Sequence, residues 1–238
     1  QLLSYMFRVN YDYNNKYLLT VSGRWDGASQ LAEGNKWAFF PSAALGWRLD
    51  QEEFLKDVTW LNQLKFRLGV GVTGNSAIDP YQTKGAIVSL YYPFGATLAP
   101  GYAASEPLIK DGAVAMANKD LSWEKTTQYN IGLDYSVLNG RISGVLDFYT
   151  SRTTDLLMAM TIPSLNGYTN TYANVGKTSN IGVDITLNTV NIKTRDFEWS
   201  TSINAAWQKD KIDELANGKE DDINNNWFIG QALGVIYG

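Results

Sequence analysis

The 238-residue sequence contains no cysteine and no histidine. Without cysteine, disulfides and thiolate chemistry are excluded. Without histidine, the commonest general base and the commonest transition-metal ligand are gone. A Ser-His-Asp triad, a Cys-His dyad and an HExxH zinc site are therefore impossible. No window approaches the ~18 consecutive apolar residues of a transmembrane helix. An excess of positive charge is also missing. The net charge of -4 argues against a nucleic-acid partner, because phosphate binding needs a basic stripe. No catalytic residue, metal or cofactor is expected, and the chain is read as not an enzyme.

Aromatic residues are abundant, with eight Trp and fourteen Tyr. They suit either a soluble sugar-binding β protein or a membrane barrel. The chain opens on QLLSYMFRVNYDY, with neither Met nor a signal peptide, and stops at LGVIYG. Both ends are expected to be cuts in a longer chain.

One pattern recurs about eight times: apolar and polar residues alternate, as in a strand with one face of each kind. In the first run Leu3, Tyr5, Phe7, Val9, Tyr11 and Tyr13 oppose Ser4, Arg8, Asn10 and Asp12, with Met6 the exception. The second has Tyr17, Leu19, Val21, Gly23 and Trp25; the third has Trp37, Phe39, Ala43, Leu45, Trp47 and Leu49. In the fourth, Leu64, Phe66, Leu68, Val70 and Val72 oppose Lys65, Arg67 and Thr73. The fifth follows Tyr129 to Val137, the sixth Ile142 to Phe148 and the seventh Val175 to Leu187. The eighth is FEWSTSINAAWQKD at 197–210.

The links alternate in length. Those at 14–16, 138–140 and about 190–196 are short, and 50–62 is intermediate with room for a helical turn. Those at 27–36, 76–122, 155–173 and from 210 onward are long. Short turns on one end and long loops on the other are the habit of outer-membrane barrels. The runs keep their alternation for roughly ten residues, the length a tilted membrane-spanning strand needs.

Aromatic spacing points the same way. Tyr5 and Tyr13, Tyr17 and Trp25, and Trp199 and Trp207 are each eight apart, and Trp37 and Trp47 are ten apart. Eight residues at ~3.4 Å rise cover about 27 Å along a strand, or roughly 21 Å of height at a tilt near 40°. The apolar band of a barrel is about 25 Å tall between two aromatic girdles. These eight residues are the candidate membrane-interface girdle, with Trp199 near the short-turn end and Trp207 near the long-loop end.

Other motifs are weaker. GVGVTG at 69–74 matches GxGxxG, but the following NSAIDPYQ is turn-like where a dinucleotide site needs a helix. Asp134, Asp147 and Asp184 share the polar face of neighbouring strands. They read either as paired acids for glycoside hydrolysis or as a solvated wall offset by Arg67, Arg141 and Lys65. EDDINNN at 220–226 reads as a solvated loop or an oxygen-rich calcium loop without EF-hand spacing. Tyr81, Tyr91, Tyr92, Phe94 and Tyr102 lie in one long link, and Tyr168, Asn170 and Tyr172 in the next. They are candidate substrate or partner contacts, or they fold inward against other loops.

Several segments together resemble the barrel of SusC/RagA-type TonB-dependent transporters. They are RWDGAS at 24–29, KWAFFPSAALGWRLDQEEFL at 36–55 and LKFRLGVGVTGN at 64–75. NKDLSWEKTTQYNIGLDY at 118–135, RISGVLDFYTSRTTDLL at 141–157, NVGKTSNIGVDITL at 174–187 and IGQALGVIYG at 229–238 follow in order. The resemblance implies an all-β, antiparallel up-and-down transmembrane β-barrel, of which residues 1–238 would supply about eight strands of a probable 22. It implies an outer-membrane importer of oligosaccharides or peptides in a Bacteroidota-like bacterium. Its partners would be a SusD-like lipoprotein, outer-membrane lipid and the TonB complex. Plug, TonB box and final strands are expected to lie outside this chain. Two alternatives stand beside it: a complete small eight-stranded barrel in adhesion or structure, and a soluble carbohydrate-binding β-sandwich.

Overall fold

The computed structural model describes residues 1–80, 83–84, 88–95, 97–103, 116–163, 165 and 170–235. Its main element is an antiparallel eight-stranded sheet. In sheet order the strands are β1 (Leu2–Tyr13), β2 (Tyr17–Ala28), β3 (Trp37–Arg48), β4 (Leu61–Asn75), β7 (Glu124–Val137), β8 (Ile142–Thr154), β11 (Lys177–Lys193) and β12 (Glu198–Glu214). These are the eight alternating runs. Two hairpins stand apart from the sheet: β5 (Val88–Phe94) with β6 (Thr97–Ala103), and β9 (Leu157–Thr161) with β10 (Asn170–Asn174).

The first two short turns pass through a left-handed backbone. Asn14 and Asn15 sit at φ 54° and 55°, the mirror-type turn whose twist matches a hairpin. The Asp12 carboxylate accepts from the Asn15 N–H at 2.8 Å and completes it. The β7–β8 turn uses Leu138, Asn139 and Gly140, all at positive φ. The Leu138 N–H donates to the Trp60 carbonyl at 2.7 Å, which ties this turn to the β3–β4 link beside it. That link contains two 3-10 turns, Leu49–Gln51 and Glu53–Leu55.

Three boundaries differ from the sequence reading. The sheet continues through 190–193, so the last short turn is 194–197, closed by the Thr194 N–H on the Phe197 carbonyl. The links 76–122 and 155–173 are not plain loops, because each carries a hairpin. In the first, the register pairs Tyr91 with Pro100 and Phe94 with Thr97. Prolines and small residues interrupt its alternation, and the short strands escape a ten-residue template.

The faces are inverted relative to a soluble protein. Tyr5, Ile203 and Trp207 are 63%, 53% and 57% exposed, whereas polar Arg67 and Asp147 keep only 30% and 22% of their side-chain surface. A β-sandwich would bury that apolar face against a second sheet. Here no second sheet covers it among the described residues. A complete eight-stranded barrel would pair β1 with β12, but in the sheet order these two strands are the opposite edges. Neither alternative fits.

A small apolar core does exist, at the long-loop end. Phe40 and Trp123 meet edge-on with centroids 5.3 Å apart, packed with Ala28 and Leu31. Phe40 follows Phe39, so the two adjacent rings fall on opposite faces. Phe39 is exposed on the apolar face and Phe40 is buried behind it.

Candidate functional site

The aromatic residues form clusters at both ends of the apolar face. At the short-turn end Tyr13 stacks on Tyr17 (6.5 Å between centroids) and Tyr17 on Trp47 (6.4 Å). At the long-loop end Tyr5 stacks on Trp37 at 6.1 Å, and Trp25 meets Phe39 at 6.0 Å. Tyr5 and Trp37 lie on strands separated by β2. They meet because Gly27 stands between them, where a Cβ would sit 2.7 Å from the Trp37 ring. On the edge strand, Trp199 pairs with Ile192 and Trp207 with Val183.

Glu52, in the β3–β4 link, anchors the short-turn cluster. Its carboxylate accepts from Trp47 Nε1 at 3.0 Å, Lys16 Nζ at 3.0 Å and the Tyr17 hydroxyl at 2.9 Å. These three donors hold its carboxyl below the usual glutamate range. The polar tips of Tyr17 and Trp47 thus find partners beyond the apolar band, as an interfacial aromatic requires.

The polar face carries a charge network. Arg67 Nε donates to Asp134 Oδ1 at 2.9 Å, and Arg67 Nη2 donates to both Asp147 oxygens at 3.1 Å. Asn130 Nδ2 adds a bond to Asp147 Oδ1 at 3.2 Å. One guanidinium therefore serves both carboxylates, as a wall of offset charges requires, and leaves neither free of a cation for the acid of a glycosidase pair. The expected role of Arg141 does not hold: it donates to the backbone carbonyls of Val190 and Asn191 at the short-turn end. Lys65 forms no ion pair among the described residues. Arg141 lies in the β7–β8 turn, one residue before β8 begins, and so sits too far from Asp147 along the strand direction to pair with it.

The GxGxxG glycines all fall within β4, and the described backbone after Asn75 forms no helix. They carry no helix N-terminus for a phosphate. Gly69 is open, with only Asn130 Cβ 3.9 Å away. Two carboxylates of the acidic loop are used internally. Asp222 caps the 3-10 turn Ile223–Asn225 through the Asn225 N–H at 3.2 Å, and Asp221 accepts from the Ile229 N–H at 2.7 Å.

Of the loop candidates, Tyr91 and Phe94 on β5 are 69% and 79% exposed. Tyr92 and Tyr102 lie on β5 and β6. Tyr81 and Tyr168 fall outside the described residues. Asn170 and Tyr172 sit on β10, half-buried, and the carbonyl of each is engaged. Met116 N–H donates to Asn170 at 2.9 Å and Asn118 Nδ2 to Tyr172 at 2.8 Å.

Those bonds belong to a clamp that the sequence pattern did not reveal. Residues 116–123 are held between two loops. Asn174 accepts from the Ser122 N–H at 2.8 Å and donates back to the Ser122 carbonyl at 2.9 Å. Trp123 Nε1 donates to the Lys36 carbonyl at 3.0 Å, and the Ala32 N–H to the Leu121 carbonyl at 3.1 Å. Asp26 is buried at the same end and paired with Arg24 at 2.7 Å. The signal for this clamp was the break in alternation at Phe39–Phe40, together with a lone Trp just before β7.

An up-and-down sheet with its apolar face outward, its charges inward and long loops on one end is a segment of a membrane-spanning β-barrel wall. A family model for the TonB dependent receptor-like β-barrel matches residues 3–235. The chain belongs to that family. It is 41% identical, over 93% of its length, to TonB-dependent receptor SusC of Bacteroides thetaiotaomicron, and covers 22% of that protein. It is 34% identical over its whole length to TonB-dependent receptor P26 of Formosa agariphila, covering 24% of it. Among solved structures, the RagAB peptide importer in the 'open-open' state superposes on 97% of this chain with a TM-score of 0.84 at 29% identity, with 24% of that chain covered. The chain thus spans about a quarter of the length of the curated relatives it matches.

Proposed function

We propose that this chain is part of the wall of an outer-membrane, TonB-dependent importer of oligosaccharides or peptides. A SusD-like surface lipoprotein would work with it. In this reading it is a transporter segment and not an enzyme. Residues 1–238 form one barrel segment, and the plug and TonB box that couple it to the TonB complex belong to the rest of the protein. The observation that carries the reading is the inverted sheet: eight strands expose an apolar face, with aromatic clusters at both of its ends on β1–β3. The likeness to the RagAB peptide importer supports the peptide class, and the likeness to SusC and RagAB supports the lipoprotein partner. Tyr5, Tyr13, Tyr17, Trp25, Trp37, Trp47, Trp199 and Trp207 act as the interface girdle. Tyr91 and Phe94 project from a hairpin at the long-loop end, where substrate or the lipoprotein would be met.

The experiment is uptake by the full-length receptor in its own host, with and without functional TonB. Oligosaccharides and peptides serve as separate sole nutrients. TonB-dependent growth on one class, reduced at least several-fold by Tyr91→Ala with Phe94→Ala, is the expected outcome. Growth on both classes that is independent of the receptor would refute the importer reading.

A further inference from the structure

The register aligns the outward faces of β7, β8, β11 and β12 rung by rung. The rung through Ile131, Phe148, Val183 and Trp207 is wholly apolar. The next toward the long loops holds Tyr129, Thr150, Ile181 and Lys209. The two after it hold Thr127, Arg152, Ser179 and Lys211, then Lys125, Thr154, Lys177 and Glu214. Within about 14 Å along the strands, at ~3.4 Å per residue, the face changes from hydrocarbon-like to cationic and hydroxyl-bearing. Followed through β4, the matching rungs of β1, β2 and β3 hold Phe7, Gly23 and Pro41, then Tyr5, Trp25 and Phe39, with no cation. The cationic band is therefore local to one half of the sheet.

It also has a shape. A pocket of about 460 Å³ is lined by Arg152, Lys177, Ser179, Lys211, Asp213 and Lys219, among others. That volume lies in the range of small-ligand sites. Two of its cations are already compensated: Lys211 pairs with Asp213 at 3.0 Å and Lys177 with Glu214 at 2.5 Å. Arg152 makes no salt bridge within 4.0 Å among the described residues, although it shares the field of Asp213 with Lys211, and Lys219 has no ion-pair partner among them. The pocket begins just beyond Trp207, on the side of the sheet that faces lipid.

We propose that this pocket holds the phosphate of an anionic lipid headgroup in the leaflet at the long-loop end. A phosphate there would lie level with the headgroups while its acyl chains cover the apolar rungs below. Arg152 would supply a planar fork for two phosphate oxygens and Lys219 a point charge. Basic residues at a membrane surface each strengthen anionic-lipid binding about fivefold. The proposal rests on the barrel-wall reading above, because only then does this face meet lipid.

The test uses the full-length receptor in detergent, with retained lipid counted by native mass spectrometry. Phosphatidic acid is titrated against phosphatidylcholine, and inorganic phosphate is the soluble arm. Phosphatidic acid should be retained preferentially. Retention should weaken about 30-fold in R152Q/K219Q and persist in R152K/K219R. Should the double variant fail to fold, K219Q alone, in a turn outside the strands, should weaken retention about fivefold. Equal retention by wild type and the charge-removing variants overturns the proposal while leaving the importer reading intact. Displacement by inorganic phosphate as effectively as by the lipid overturns it in favour of a soluble-anion site. A receptor that fails to enter bilayers at all overturns both.

Discussion

Arg67 on β4 reaches Asp147 on β8, two strands away, at 3.1 Å to each carboxylate oxygen. The strand between them places Gly132 under the guanidinium, where a Cβ would lie 2.6 Å from both Arg67 Nη2 and Asp147 Oδ1. The same device recurs on the polar face. Tyr149 lies over Gly182 and its hydroxyl donates to Gln208 on β12 at 3.4 Å. A glycine in a strand ordinarily weakens it, but here its missing side chain is the path for another.

Gly132→Ala should therefore break the reach. The groups a methyl would meet are the flexible ends of two side chains, so they swing away and the backbone stays. The expected loss is on the order of 1–2 kcal/mol in urea unfolding of the full-length receptor in detergent. Unchanged stability would show that the bridge across Gly132 contributes nothing.

Arg67→Leu leaves Asp134 and Asp147 facing each other without a cation. Both are partly solvated, so the penalty is limited to roughly 1–2 kcal/mol, well short of a fully buried pair. Further replacing both acids by Asn should recover most of it. A double-mutant cycle in the same unfolding assay measures the coupling.

Glu52 makes the short-turn end acid-sensitive. Its folded carboxyl titrates below its unfolded value, held there by Trp47, Lys16 and Tyr17. Its contribution is therefore present above the ordinary glutamate value of about 4.3, and it is lost as pH falls through the lower folded value. Glu52→Gln should be less stable than wild type at pH 7, and the gap should close below about pH 4. Thermal unfolding at the two pH values checks this, and a gap that persists in acid would sink the idea.

Depth along β12 can be tested with arginine. Ile203 pairs with Leu187 and Trp207 with Val183, so the two lie four residues, or about 14 Å, apart along the strand. Ile203→Arg should cost about 2–4 kcal/mol of membrane folding free energy, as at the midplane, and Trp207→Arg markedly less. Equal penalties in a bilayer refolding titration would contradict this placement.

Trp123→Ala should release the loop clamp without unfolding the sheet. The cavity beside Phe40 and the lost bond to Lys36 together should remove about 3–5 kcal/mol of local stability. Limited proteolysis should then cut near residues 116–123, with the sheet still resistant. A cleavage pattern identical to wild type would argue that the clamp is held elsewhere.

Much of this architecture was legible in the residue order. Period-two alternation marks all eight sheet strands, and the turn at Asn14–Asn15 is written in its residue types. The hairpins at β5–β6 and β9–β10 were hidden because their strands are short and Tyr91, Tyr92, Pro93 and Phe94 do not alternate. The clamp was hidden because Trp123 bonds Lys36 across 87 positions, a contact that no local window contains.

The sequence by itself determined the faces. Alternation over a dozen residues forces one side of each strand to be apolar. What it left open was which strands lie together. Backbone ladders accept any side chains, so nothing in β4 alone names β7 as its neighbour, or in β8 names β11. The tertiary structure decided that order. With it came the pairing of Arg67 with Asp147, 80 positions apart, and the gathering of Arg152, Lys177 and Lys211 into one pocket beyond the apolar band.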